Sequence, residues 1–589
     1  MIESGDTMPV TRAAKGRISI DSLLEQRYGQ EIGRAALRPG PILPPPGNGP
    51  GDVDDRLREP TVHLPPAPAW VRAWSRLGYG IFPGAREAFN ALGGNDIARY
   101  EALVEQQLAW ESIDDSAMDA RLSSAGYTTL GKNLTQLWAD HVASGAPWDV
   151  RMLPAWESQR ASVMRAAFSK RQLQERMTTF WHDHFHVTGS DYDAGPVFVH
   201  HSRDVIRPRA LGNFRAMLEA VASSTAMLYY LDNRSNTRSG PNENFARELL
   251  ELHTFGAENY LGFMNPGQVP PCPEDPSYPI GYTDVDVYET AAAFTGWTLR
   301  NGHWQYPSEN DGSFVYRAAW HDTGPKFVLG MYLPPEQPAM KDGRDVLDRI
   351  ASHPRVARFI CRKLVRHFAG DAAPASLVES AATLFRQRWQ DADQIRVVLR
   401  HILRSAEVRE ARQGKRRRPS EVIAAALRAA GSTYTLRPAH AHGDGFMWRL
   451  AGTGHMPYDW PAPNGYADDA DAWSGANSFG MTWRMLSWLT ETSDDDQRLL
   501  PVVEDSRAGV ASWTAANLVD FWCLRLLGRP PAPARLQMLR AFMAQGASSS
   551  YVIADSNAWS GNDLRAHYNH DRLRSMVSLL LMSPEFATR

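Results

Sequence analysis

The sequence of 589 residues has little cysteine: Cys272, Cys361 and Cys523 lie far apart and form no CxxC pair. That scarcity excludes a disulfide framework and a thiolate zinc site. No run approaches the ~20 apolar residues that a membrane span requires. The longest apolar patch, Met576 to Met582, is a short piece of an amphipathic helix. No apolar segment follows the N-terminal charges, so no secretory signal is read and the expectation is a cytoplasmic protein without membrane insertion. A charge excess of one sign is missing too. With 63 Lys+Arg against 66 Asp+Glu, the net charge of -3 gives no support to a general nucleic-acid binder. The one basic run, Lys415 to Arg418, stands before Pro419 and reads as a solvated loop leading into a helix. GxSxG, GxGxxG, Walker and HExxH motifs do not occur in a context that would support them.

What is present is ordinary core material, with 43% hydrophobic and 22% charged residues. Residues 1–65 read as a tail, and the Pro-rich stretch Pro39 to Gly51 within it as an extended linker. From Trp70 onward the apolar residues recur with helical period. The spacing predicts helices over 85–92, 97–110, 130–142, 160–187, 209–231, 242–255, 284–295, 342–369, 374–388, 392–405, 418–430, 477–492, 513–527, 533–545 and 571–582. Cys361 falls in one of these apolar stretches and is expected to be buried. Aromatic residues alternating with polar ones between 296 and 330 predict a small hairpin, and 436–476 reads as a long loop. The fold class expected for residues 66–589 is mainly α. It is a large single-core multi-helix domain with long Pro/Trp-rich loops and at most a small β-hairpin.

Four segments could carry chemistry. The densest is Trp181-His182-Asp183-His184-Phe185-His186, since imidazole is both a nitrogen ligand and a base near neutral pH. If the helix persists through it, His182 and His186 share a face with HxxxH spacing. His184 then continues the apolar stripe Leu173, Met177, Phe180. The plain alternative is a buried His184 bonded to the backbone, with His182 and His186 exposed. The second segment is the helix from Asn242 to Phe255. Glu243, Arg247 and Glu251 are spaced by four, as in a surface ion-pair ladder. Asn244 and Glu248 line a neighbouring face, and His253 turns inward. Two inward histidines flanked by carboxylates resemble the way helical bundles build metal centres, although Glu248 and His253 lack the Glu-x-x-His spacing. The third is the loop His321-Asp322 with Lys326, for which a solvated turn is the favoured reading. The fourth is the aromatic loop Trp460 to Tyr466, with Trp473 and Arg484 beyond it. Its tryptophans either stack on a ligand or pin the loop to the core.

Together these segments resemble the bacterial family catalogued as domain of unknown function 1800. The resemblance rests on FWHDHFHV (180–187), RPRALGNFRAML (207–218), YLDN (230–233), NENFARELLELHTFG (242–256), DVYETAAAFTGWT (286–298), HDTGPKFVLG (321–330), HPRVARFICRKLVRHF (353–368), WPAPNGY (460–466) and LLLMSPEF (579–586). It runs from about residue 70 to the end. It marks His184, Asn242, Glu243, Asn244, Arg247, Glu248, Glu251 and His253 as motif positions. Relatives of this type are often exported, which implies work on the cell envelope or extracellular polymers; this chain departs by lacking an evident export signal.

The leading expectation is therefore an enzyme, a hydrolase or oxidase. Its pocket would join the 182–186 histidines, the Glu243–His253 helix and His321. A divalent metal would be held by His182, His184, His253 and Glu248, with Glu248, Glu243, Arg247, Asp183 and His321 as catalytic candidates. Two alternatives stay open. One is a metal-free glycoside-active enzyme with paired carboxylates acting on a carbohydrate or other polymer. The other is a non-catalytic assembly protein in which the cluster fixes helix packing.

Overall fold

The computed structural model describes residues 67–410, 414–494, 497–559, 563 and 565–589. The tail expected over 1–65 lies outside the described residues. The fold is mainly α. The strands among the described residues form four two-stranded antiparallel sheets. The hairpin expected within 296–330 is β1 (Trp297–Asn301) paired with β2 (Asn310–Tyr316), with Trp297 opposite Tyr316 and Leu299 opposite Phe314. A second short hairpin, Lys326–Val328 with Met331–Leu333, follows it. No helix of the described residues is long and apolar enough to cross a membrane. One contiguous cluster of buried apolar side chains extends from Ala73 to Phe586, and Cys361 is buried in it.

Five helices position the candidate site. The periodicity predicts one helix over 160–187, but the chain forms two. These are α1 (Trp148–Phe168) and α2 (Gln172–His184), split where Ser169 adopts an extended backbone. The break is held by Asp115, whose carboxylate accepts the Ser169 hydroxyl and the Lys170 N–H, each at 2.7 Å. Apolar spacing cannot show this, because the capturing carboxylate lies 55 positions upstream. Helix α3 (Asn244–Glu251) carries the Glu/Arg segment. The helix expected over 342–369 also divides. His353 caps α4 (Pro354–Ala369) by accepting the Arg355 N–H, and Pro354 takes the first helical position, where its missing N–H costs nothing. Helix α5 (Pro419–Ala429) begins where Lys415–Arg418 ends. The loop expected over 436–476 contains a further helix, Ala441–Gly452. Its apolar residues are interrupted by Gly443 and Gly445, which hide a 3.6-residue period.

The basic run is not a solvated loop. Lys415, Arg417 and Arg418 are 4%, 7% and 3% exposed. Burial of cations is tolerable only with partners, and each has one. Lys415 reaches Asp468 at 2.8 Å, Arg417 donates to the Phe586 and Thr588 carbonyls, and Arg418 pairs with Asp183 at 2.5 Å. All these acceptors stand 50 or more positions away, beyond the reach of a local charge pattern.

Candidate functional site

Helix α2 is buried almost all round, so its end is surrounded by protein on every side. It stops at His184, which leaves His186 beyond the helix and removes the HxxxH face. The three histidines then take three separate partners. His182 Nε2 stands 3.1 Å from the Ser202 hydroxyl, and its ring lies 4.4 Å from that of Tyr458. His186 Nε2 donates to the Trp460 carbonyl at 2.7 Å. His184 Nε2 donates to the His253 carbonyl at 2.9 Å, so its Nδ1 is the acceptor, and Lys363 Nζ stands 2.9 Å from it. The inward histidines do meet, with ring centroids 6.1 Å apart.

These donors do not fit the expected metal. Both nitrogens of His184 are already engaged, and the ring nitrogens of His253, though unpartnered, are wholly buried. Among the described residues, no three His, Cys, Asp or Glu side chains stand close enough to hold an ion. Glu248 points elsewhere. It is half-buried near Tyr230, and burial followed by the neighbouring Glu251 raises its pKa. Glu243 and Arg247 form the surface ladder with Asp284: Arg247 donates to Glu243 at 3.0 Å and to Asp284 at 3.1 Å.

His321 departs from the solvated turn and from the shared pocket alike. It is buried with its Nε2 at 3.1 Å from Asp342, and Lys326 Nζ reaches the same carboxylate at 2.8 Å. The hairpin and the helix carrying Asp342 close over this trio, and none of the three lines the cavity described next.

The groups that face open space lie between α2, α4, the start of α5 and the loop 464–469. They enclose a cavity of about 170 Å³ lined by Asp183 and His184 from α2, by Lys363, Arg366 and His367 from α4, and by Asp468 from the loop. Lys363 sits on the stripe Ile360, Lys363, Leu364, His367, so its helix aims it inward. A lysine on an apolar stripe is the sequence signal for this site, and the three neighbouring histidines outweigh it in the pattern. Burial lowers the Lys363 amine to about 8, although Asp468 and Asp183 pull the other way. The partner at its nitrogen, His184, is held well below 6.5, first by burial and then by Lys363 itself, so it stays neutral. Asp183 is raised by burial, with Arg418 opposing. Asp468, against the upward push of burial, is held well below its ordinary range by His367 and Lys415. The Arg366 guanidinium lines the same cavity with no acidic partner within ion-pair distance among the described residues.

The aromatic loop closes the cavity by direct backbone approach to α2. Gly465 has φ +67, and a Cβ there would overlap the Asp183 carbonyl oxygen. Trp460 meets His186 through its carbonyl, Tyr230 donates to the Pro461 carbonyl at 3.2 Å, and the Tyr466 hydroxyl donates to Met456 at 2.7 Å. Pinning of the loop is thus the observed role of these residues. Gly465→Ala is expected to cost at least about 1–2 kcal/mol, the penalty of a left-handed backbone for an L-residue. Urea unfolding measures it, and a cost under about 0.5 kcal/mol, the scatter of neutral surface changes, would show that the loop does not need this approach.

No curated protein and no solved structure matches the chain. The family described as "Protein of unknown function (DUF1800)" matches it over residues 72–588, so the chain belongs to that family.

Proposed function

We propose that the protein is an enzyme whose reacting group is the Lys363 amine and whose substrate carries an anionic group. The observation that carries this reading is the contact of Lys363 Nζ with the neutral His184 ring inside an open cavity. A lysine at about 8 is partly unprotonated near neutral pH, which is the condition for a base or an amine nucleophile. His184 cannot rotate away, because its Nε2 is tied to the His253 carbonyl. It therefore presents a lone pair to the amine and orients it. Arg366, lacking a carboxylate of its own, supplies the charge for an anionic substrate, and Asp183 holds Arg418 back from that task. Small anionic carbonyl or ester compounds are the substrates this arrangement favours, and no step depends on a metal.

The test is amine labelling of the whole chain with trinitrobenzenesulfonate, an anionic reagent, across pH 6 to 11. The sequence has only seven lysines, Lys15, Lys132, Lys170, Lys326, Lys341, Lys363 and Lys415, so peptide mapping resolves each. Lys363 should label with a midpoint near 8, well below the ~10.4 of a lysine in a model peptide. A Lys363 midpoint equal to that of Lys170 would overturn the proposal. Once a substrate is in hand, Lys363→Met should reduce kcat/KM by about 10²–10⁴, as loss of a general base does.

A further inference from the structure

A second cavity lies on the opposite flank of α2, and most of the residues that line it are polar, with Leu130, Ala161 and Val199 the apolar ones. It offers about 60 Å³ between α1, α2, the turn containing Ser202 to Arg207, and Tyr458. That is room for a few waters or one small ion, and too little for a sugar ring or a nucleobase. Three guanidinium groups border it. Arg207 is neutralised by a two-pronged pair with Glu175, and Arg203 by a two-pronged pair with its neighbour Asp204. Arg165 is left over. It comes from the face of α1 that looks into the cavity and has no ion pair or hydrogen bond to its guanidinium among the described residues. A half-buried guanidinium without a partner carries a desolvation cost that a bound anion would offset.

The remaining wall supplies donors. The Tyr458 hydroxyl lies within hydrogen-bonding reach of Ser162 and Ser202, and all three line the cavity. Thr178 and Ser158 are already committed to backbone carbonyls at 2.8 and 2.7 Å, so they shape the wall without competing. Tyr458 reaches this position at a cost. Its φ of +63 is the left-handed region that aromatic L-residues avoid. Its ring is held there against His182 at 4.4 Å and Phe198 at 5.0 Å. Strained backbone of this kind persists where the surroundings over-determine it, and it collects at ligand clamps.

We infer that this cavity is a binding site for a single tetrahedral oxyanion, phosphate or sulfate, held by Arg165 with the hydroxyls of Tyr458 and Ser162. The site is separate from the Lys363 cavity and does not depend on the function proposed for it. Three guanidiniums against Glu175 and Asp204 leave one positive charge, which a bound anion offsets. Donors arriving from α1 and a loop match an ion with several acceptor oxygens.

The test is isothermal titration calorimetry of the full chain with inorganic phosphate, and separately with sulfate, at constant chloride. One saturable site per chain is expected. Arg165→Gln should weaken it about tenfold or more, the factor for losing a charge-assisted hydrogen bond. Tyr458→Phe removes only a hydroxyl and should weaken it severalfold, which keeps the test decisive if the Arg165 variant does not fold. Lys363→Met and Arg366→Gln, in the other cavity, should leave the affinity unchanged. Absence of saturable heat would overturn the inference. So would equal competition by chloride, or loss of binding in the Lys363 or Arg366 variants with retention in Arg165→Gln.

Discussion

Acidification below pH 6.5 should unfold the protein steeply. His201, His253, His353 and His367 are each held at about 3, first by burial in every case. His182, His184 and His455 are held well below 6.5 for the same leading reason. A histidine whose folded pKa lies below its unfolded value binds more protons when unfolded. Its contribution is complete above about 6.5 and is lost as pH falls toward the folded value. Each such group removes about 1.4 kcal/mol per pH unit in that window, so the four held at about 3 together remove about 5 kcal/mol per unit. Raised carboxyls such as Asp183 and Asp286 act in the opposite direction, since they gain a proton more readily when folded. They offset part of the slope. Against a total stability of about 5–15 kcal/mol for a folded chain, the transition should fall within one to three units below 6.5. Circular dichroism with urea titrations at half-unit pH steps measures it. A stability that stays flat between pH 7 and 4.5 would mean that the buried imidazoles become protonated without unfolding.

The same histidines show how far the sequence could be read. Helical period located α5 and the C-terminal ends of α2 and α4 to within a few residues, because burial of an apolar face has a direct sequence image. The meeting of His184 with His253 followed from the same rule, as both lie on inward stripes. What the period could not show was who accepts each proton. His186 is satisfied by Trp460, 274 positions later, and Arg418 by Asp183, 235 positions earlier. A cluster of adjacent histidines looks like one ligand set only while the partners are unknown. Adjacent side chains on a buried helix end point in different directions, so they are recruited by different neighbours. Lys363 was missed for the converse reason: one cation on an apolar stripe carries little weight beside three histidines, although it faces the open cavity and they do not all do so. The breaks at Ser169 and His353 are invisible in apolar spacing, because polar groups hold them: the Asp115 carboxylate at the first and the His353 ring at the second.

Asp342→Ala should cost about 3–5 kcal/mol, the range for leaving a buried charge without its partner. Asp342 receives the Lys326 ammonium at 2.8 Å, His321 Nε2 at 3.1 Å and the Gln337 amide. Both members of the ion pair have side chains only 2% exposed. Against the upward push of burial, these three hydrogen bonds hold the carboxyl below its ordinary range, so it is charged at neutral pH. Removing it leaves Lys326 with the Asp322 and Gly324 carbonyls and with the Asp322 carboxylate at 3.8 Å, which is half-exposed. The carbonyls satisfy its hydrogens, and the half-exposed Asp322 carboxylate, 1 Å farther off than Asp342, offsets only part of its charge. The Lys326→Met, Asp342→Leu double variant should recover most of the loss, because replacing both partners removes the orphaned charge. Chemical unfolding of the two variants and the parent measures the difference. Had the His321 segment been a solvated turn, Asp342→Ala would fall within about 0.5 kcal/mol of the parent, as surface changes do.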